Sequence, residues 1–150
     1  MNIQGFTQPA QLERNSFLWS ELRLLIAAIA LFIGGTPPVY KVFSAPSLAV
    51  LISPLLTLAW IISGAASAYL LYRWYAGKQV LFGRKVPLDT VVFFVSVVSG
   101  INLGLVGLTG TNIGMSISSN TSIFLVVGLL YLASAGYLYK RWLESGRRLF

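Results

Sequence analysis

The sequence predicts an all-α integral membrane protein, a four-helix bundle in which residues 1–150 form a single transmembrane domain. Its composition favours this class, because 56% of the residues are hydrophobic and only 11 basic and 4 acidic side chains occur among 150. The apolar residues gather in four runs, each close to the ~20 residues that an α-helix needs to cross ~30 Å of hydrocarbon. These predicted spans 1 to 4 cover residues 17–35, 48–72, 88–108 and 123–139.

Span 1 has two possible interpretations, a retained helix or a cleaved signal peptide. Its most apolar part, Leu24–Ile33, has the length of a signal sequence. However, the polar segment before it is long and carries Glu13 and Glu21, and residues 34–38 contain no clear small-x-small cleavage site. We therefore expect span 1 to be a retained transmembrane helix.

Spans 2 and 3 contain residues with local structural roles. Pro54 in span 2 removes a backbone hydrogen bond and is expected to kink the helix. Pro87 suits the first position of span 3, and Asp89 then meets the positive end of the helix dipole. Asn102 is the one strongly polar side chain well inside a predicted span, and we expect it to hydrogen-bond a neighbouring helix. Its alternative role is to line a path for an ion or solute.

Small residues recur at helical spacing in spans 2, 3 and 4. Such faces allow two helix backbones to approach closely, either within one bundle or between subunits. The predicted helix-packing positions are Gly64 and Ala68 in span 2, Ser96, Gly100, Gly104 and Gly107 in span 3, and Gly128 and Gly136 in span 4.

Basic residues flank the spans very unevenly. Arg14 and Arg23 are predicted to precede the most apolar part of span 1, Leu24–Ile33, and only Lys41 follows the span. Because basic loops stay on the cytoplasmic side, four spans place both termini in the cytoplasm with ten of the eleven basic residues. The pattern fits a prokaryotic plasma membrane best and predicts binding to anionic lipid headgroups. Nucleic acid is not an expected partner, since the cations form no continuous stripe. The other basic residues are Arg73, Lys78, Arg84 and Lys85 between spans 2 and 3, and Lys140, Arg141, Arg147 and Arg148 after span 4.

An offset of 68 residues superimposes the two halves of the chain, residues 17–82 and 85–150, as tandem parallel hairpins. Selection for Tyr, Trp and Arg at every inner helix end is the alternative explanation, and the sequence leaves both open. The same offset pairs Glu21 with Asp89, so we expect ion pairs at the inner boundary between these acids and Arg73 and Arg141. The seven identities are Ala65, Tyr69, Leu70, Arg73, Trp74, Leu81 and Phe82 with Ala133, Tyr137, Leu138, Arg141, Trp142, Leu149 and Phe150.

The residue inventory gives little support to enzymatic chemistry. The chain has no histidine or cysteine and only four acids, so we expect no catalytic residues, no metal ligands and no cofactor. Two function classes are then compatible with the sequence. The first is a structural or accessory subunit that associates with itself or with protein partners in the membrane through small-residue faces. The alternative is a small homo-oligomeric channel or transporter, with span 3 and the 109–122 loop lining the path. The apolar inner half of span 3, residues 91–95, favours the first class.

Overall fold

The computed structural model describes residues 8–43, 45–117 and 120–150, and the chain is about 80% helical. Four of its helices are long and apolar enough to cross a membrane, and they coincide with the predicted spans. The prediction of an all-α membrane four-helix bundle is therefore confirmed. The helices are α1 (Pro9–Phe32), α2 (Pro38–Val42), α3 (Pro46–Ala76), α4 (Pro87–Thr109), α5 (Ile113–Ile117) and α6 (Thr121–Glu144).

The ends of the long helices follow from local residue chemistry. Proline opens α1, α3 and α4, at a position where a helix needs no backbone N–H donor. Gly110 ends α4 with a φ of 76°, the left-handed conformation that glycine adopts without steric cost. At the start of α6, the side chain of Asn120 accepts a hydrogen bond from the Ser122 N–H at 2.8 Å. Each span is thus bounded by residues that cannot or need not continue the helix.

The four long helices pack as antiparallel neighbours in the cyclic order α1, α3, α4, α6. The most extensive contacts are those of α3 with α4 and of α1 with α6, while α1 and α4 approach each other across the middle of the bundle. At one end, here called the basic end, α1 and α4 begin and α3 and α6 finish. The opposite end carries the short helices α2 and α5.

Small residues make the close contacts between helices. Gly64 and Gly104 meet backbone to backbone on the α3–α4 seam, and Gly100 and Gly107 lie against Ser67 and Ile61 of α3. On the α1–α6 seam, Gly128 receives the ring of Phe32. The small-residue face of span 3 is therefore buried inside this bundle. Two of the predicted packing positions, Ala68 and Gly136, are instead exposed on its outside.

The hydrophobic core fills the half of the bundle nearest the basic end. The Phe82 N–H donates to the Leu149 carbonyl at 2.7 Å, which joins the α3–α4 connection to the segment after α6. Aromatic rings interlock beneath this contact, with centroid distances of 5.5 Å for Phe17–Trp142 and 6.2 Å for Trp74–Phe93. The core residues are Phe17, Leu70, Leu81, Phe82, Phe93, Val97, Leu138, Trp142 and Leu149.

Candidate functional site

Two charged residues of α1 lie deep within the bundle. The sequence predicts that Arg23 precedes span 1 and that Glu21 lies at its inner boundary, but α1 already begins at Pro9. Fourteen residues of helix place Arg23 about 21 Å along the axis, near the middle of a span. Arg23 is therefore not a residue at the start of the first span, as the sequence predicts, but lies well inside its helix. Charged side chains at such depth are rare and usually functional.

Arg23 is almost fully buried and is held by α4. Its Nη1 donates to the Ser99 Oγ at 2.9 Å, and its Nη2 donates to the carbonyl oxygen and the Oγ of Ser96 at 2.8 and 3.3 Å. Its Nε has no hydrogen-bond partner among the described residues. Within the same ranges, none of the ion pairs includes Arg23. The guanidinium is thus a buried cation that meets hydroxyl and carbonyl oxygens without a carboxylate in contact.

Arg23 lines a partly open cavity of about 720 Å³ between the four long helices. This volume is within the usual range for small-molecule sites in proteins. Trp19 also lines the cavity and is fixed by donating its Nε1–H to the Ser63 Oγ at 3.0 Å. Most of the wall is aliphatic and includes Ile26, Leu56, Leu103, Val106 and Val127, while the other polar or aromatic lining residues include Trp60, Ser99, Asn102 and Tyr131.

Asn102 anchors the segment that lines the cavity at the opposite end. Its Nδ2 donates to the Asn112 Oδ1 at 3.0 Å, and its Oδ1 accepts from the Ile113 N–H at 3.1 Å. Asn102 therefore holds the α4–α5 connection, and within the described part of the chain its side chain makes no hydrogen bond to another long helix. Gly110, Asn112, Gly114 and Met115 of this connection line the cavity, so span 3 and part of the 109–122 loop both contribute to its wall; residues 118 and 119 lie outside the described part of the chain.

Glu21 occupies the α1–α6 seam. It shares a helical stripe with Phe17, Leu24 and Ala28, and Phe17 contacts Trp142 of α6. Only 6% of Glu21 is exposed, and neither carboxyl oxygen has a hydrogen-bond partner among the described residues. Glu21 is therefore a second buried ionisable group of α1, on the opposite edge of its buried face from Arg23.

Two arginines form ion pairs with buried acids at the basic end, and one of these acids is not the one expected from the sequence. The structure brings Asp89 and Arg141 together, with Nη2–Oδ2 and Nε–Oδ1 distances of 2.9 and 3.0 Å. The Tyr137 hydroxyl donates to the Asp89 Oδ1 at 2.7 Å, and the Asp89 side chain is fully buried. Arg73, however, pairs with Glu13 at 2.9 Å and not with Glu21. Glu21 lies eight residues further along α1, about 12 Å deeper.

Sequence reasoning missed the roles of Glu13 and Arg23. A different offset between the first helix and the third span would have pointed to them. The seven buried positions of α4 all correspond to buried positions of α1 when the offset is 76 residues. A single offset of 68 hides this match because the first half is longer, mainly in its second helix: α3 has 31 residues and α6 has 24. The corresponding residues are Glu13 and Asp89, Phe17 and Phe93, Ser20 and Ser96, Glu21 and Val97, Arg23 and Ser99, Leu24 and Gly100, and Ala28 and Gly104.

The ends of α3 and α6 match each other at the offset of 68. The Gly77 and Ser145 N–H groups donate to the carbonyls of Arg73 and Arg141, and those of Gln79 and Arg147 donate to Trp74 and Trp142. Two consecutive residues then have positive φ in each half. These angles are 59° and 60° for Lys78 and Gln79, and 71° and 64° for Gly146 and Arg147.

Comparisons with protein-family models, with curated proteins and with solved structures found no match to this chain.

Proposed function

We propose that this integral membrane protein binds an amphipathic anion in the central cavity, with the anionic group on Arg23 and the apolar part toward the opposite end. The observation that carries the proposal is the buried Arg23 guanidinium, which lines a cavity of about 720 Å³ and has no carboxylate in contact among the described residues. The function is non-enzymatic binding.

The energetics of a buried cation support a negatively charged ligand. Burying a charge is costly unless an opposite charge or several hydrogen bonds offset the cost. Ser96 and Ser99 supply neutral acceptors only, and the Nε of Arg23 keeps an unused donor. An anion at this position gains charge-assisted hydrogen bonds from the guanidinium group. The aliphatic wall beyond Arg23 favours a ligand whose remainder is apolar.

The packing of the bundle supports binding over conduction. The core residues around Phe17, Phe93 and Trp142 pack the half of the bundle nearest the basic end, which opposes a continuous path along the bundle. Gly100 and Gly104 belong to the span 3 face that the channel hypothesis uses for association between subunits, and they contact α3 instead. The accessory-subunit function remains the competing hypothesis. It is compatible with the same fold but requires association through a surface other than the one that contains Gly100 and Gly104.

The expected membrane and topology are part of the same proposal. Nine of the eleven basic residues lie at the basic end, with Arg23 inside the bundle and Lys41 at the opposite end. Applied to this arrangement, the positive-inside rule supports a cytoplasmic basic end with both termini, in a prokaryotic plasma membrane. The matched burial at offset 76 supports two fused hairpins related by a two-fold axis along the membrane normal.

Binding of radiolabelled dodecanoate to the protein in nanodiscs tests the proposal, with empty nanodiscs as the blank. We expect saturable binding that dodecanol and dodecylammonium compete for poorly. The Arg23→Gln variant should raise Kd about tenfold or more, because it removes a hydrogen bond to a charged group. Arg84→Gln, which removes an exposed arginine far from the cavity, is the matched control and should leave Kd unchanged.

A second pair of variants separates occupancy of the cavity from charge. Ala59→Leu places extra volume in the cavity wall, while Ala65→Leu adds the same volume to the outer surface of the same helix. We expect only the first to weaken dodecanoate binding. Equal binding by the wild type and both Arg23→Gln and Ala59→Leu would contradict the proposal. Native mass spectrometry that recovers stoichiometric foreign subunits and no bound anion would favour the accessory function.

A further inference from the structure

A second, separate cavity lies at the basic end. It has a volume of about 350 Å³ and is formed by the first turns of α1, the end of α3 and the segment that follows α6. Among the described residues, four arginine side chains and one acidic side chain line it: Arg14, Arg73, Arg147 and Arg148 with Glu13. We infer that this cavity is a binding site for a phosphate-bearing anion, supplied by the headgroup of an anionic phospholipid or by a soluble phosphate.

The charges in this cavity are unbalanced. The carboxylate of Glu13 is already engaged by Arg73 at 2.9 Å, with 12% of its side chain exposed. None of the ion pairs in the described part of the chain includes Arg14, Arg147 or Arg148. The Nε of Arg73 is buried and has no hydrogen-bond partner there either. Four arginines therefore line one small volume, and the planar guanidinium group matches phosphate oxygens in geometry.

The start of α1 adds the positive end of a helix to the same cavity. Pro9 and Ala10 line it. The Gln11 and Leu12 N–H groups donate to the Gln8 carbonyl, and Pro9 has no N–H, so Ala10 supplies the remaining backbone donor of this turn. This turn contains no acidic residue, and its N-cap makes no side-chain hydrogen bond. An anion in the cavity thus meets the positive end of a 24-residue helix in addition to the arginines.

The apolar floor of the cavity keeps one arginine in position. The guanidinium of Arg147 lies 5.9 Å from the ring centroid of Trp142, and the Arg147 N–H donates to the Trp142 carbonyl at 2.9 Å. Leu149 and Phe150 complete the floor. A cationic rim over an apolar floor, at the end of the spans, is suited to a headgroup at the membrane surface. This inference concerns a different cavity and does not depend on ligand binding at Arg23.

The test compares two double variants that remove the same charge from the same end of the bundle. Arg147→Gln with Arg148→Gln alters the cavity, whereas Arg84→Gln with Lys85→Gln alters exposed residues of the α3–α4 connection outside it. Each protein is reconstituted in phosphatidylcholine nanodiscs with increasing phosphatidylglycerol, and retained lipids are counted by native mass spectrometry. In a second arm, binding of radiolabelled inorganic phosphate is measured by equilibrium dialysis.

We expect the wild type to retain phosphatidylglycerol preferentially and the cavity variant to lose this preference by at least about fivefold. The control variant should keep it. Saturable phosphate binding that only the cavity variant loses would support the same site with a soluble source. Equal losses in both double variants, or saturable binding of neither probe, would overturn the inference. Circular dichroism verifies folding, and Arg148→Gln alone provides a milder variant of the same site.

Discussion

Gly64 and Gly104 face each other so closely that a Cβ built on either residue would lie 2.6 Å from the Cα of the other. Real Cβ atoms do not approach backbone atoms this closely, so any side chain here must push α3 and α4 apart. We expect Gly104→Ala to lower the free energy of unfolding by about 1–3 kcal/mol, the usual cost of overpacking. Thermal unfolding in detergent, followed by circular dichroism, measures the effect.

Gly136→Ala is the matched control for this change. Gly136 is also in the interior of a long helix, but a Cβ there meets nothing within 4 Å. Alanine has the higher helix propensity, so this control should keep or raise stability. If the two variants had equal unfolding temperatures, the two helices would not be as close as the structure has them.

The Asp89–Arg141–Tyr137 cluster should be the most sensitive polar contact of the basic end. We expect Asp89→Asn to lower the unfolding temperature by about 5 °C or more, because the fully buried Asp89 carboxylate accepts hydrogen bonds from both Arg141 and Tyr137. Glu13→Gln should have a smaller effect, since Arg73 makes a single bond to Glu13 and is more exposed. Unfolding temperatures of the two variants in the same detergent test this order.

A double-mutant cycle identifies the contact itself. Asp89→Asn and Arg141→Gln should be strongly non-additive, because residues in one hydrogen-bonded network lose the same interaction. Additive effects would mean that the two side chains act independently, and the ion pair at 2.9 Å would then contribute nothing.

Glu21 is expected to reduce stability. It is buried in the α1–α6 seam with no hydrogen-bond partner among the described residues, and its counterpart at offset 76 is Val97. We expect Glu21→Leu to raise the free energy of unfolding by about 1 kcal/mol or more, because an apolar side chain has no desolvation cost. Denaturant or thermal unfolding checks this gain.

The isosteric variant Glu21→Gln should give a smaller gain, since it removes the charge but leaves a buried amide. A clear loss of stability in Glu21→Leu would contradict this prediction. Glu21 would then be required to balance the charge of Arg23 across α1.

Two loop leucines should matter as much as residues of the long helices. Leu81 and Leu149 are 0% and 2% exposed and correspond to each other at offset 68. We expect Leu81→Ala and Leu149→Ala each to cost about 2–5 kcal/mol, the usual range for a buried leucine. Leu88→Ala, at a position that is 53% exposed, is the control and should cost much less. Similar costs for all three variants would show that the α3–α4 connection and the final segment do not contribute to the core.

The four spans could be predicted because a membrane fixes both the length and the composition of a helix that crosses it. The start of α1 could not, since residues 9–16 are mostly polar and hydropathy places the boundary near Phe17. The helix nevertheless extends to Pro9 because Glu13 pairs with Arg73, 60 residues away. Contacts of this kind are tertiary and leave no local pattern.

The candidate site was missed for the same reason. An arginine beside an apolar run is normally a boundary residue. The acceptors of Arg23, Ser96 and Ser99, are more than 70 residues away, and both look like ordinary small residues of a helix-packing face. Only the three-dimensional register of α1 against α4 brings them together. The sequence could predict that the Asn102 amide forms hydrogen bonds, but not that its partners lie in the α4–α5 connection.

The contact between Arg23 and Ser99 has a consequence for how such a cavity can arise. The two residues are counterparts at offset 76, yet one donates to the other at 2.9 Å, so both lie beside the two-fold axis of the proposed repeat. In a pair of identical hairpins, any side chain at this position would occur twice. Two guanidinium groups would then oppose each other, and neither would find an acceptor. A pair of hairpins with different sequences, such as the two halves of this chain, can assign the cation to one half and its hydroxyl acceptor to the other.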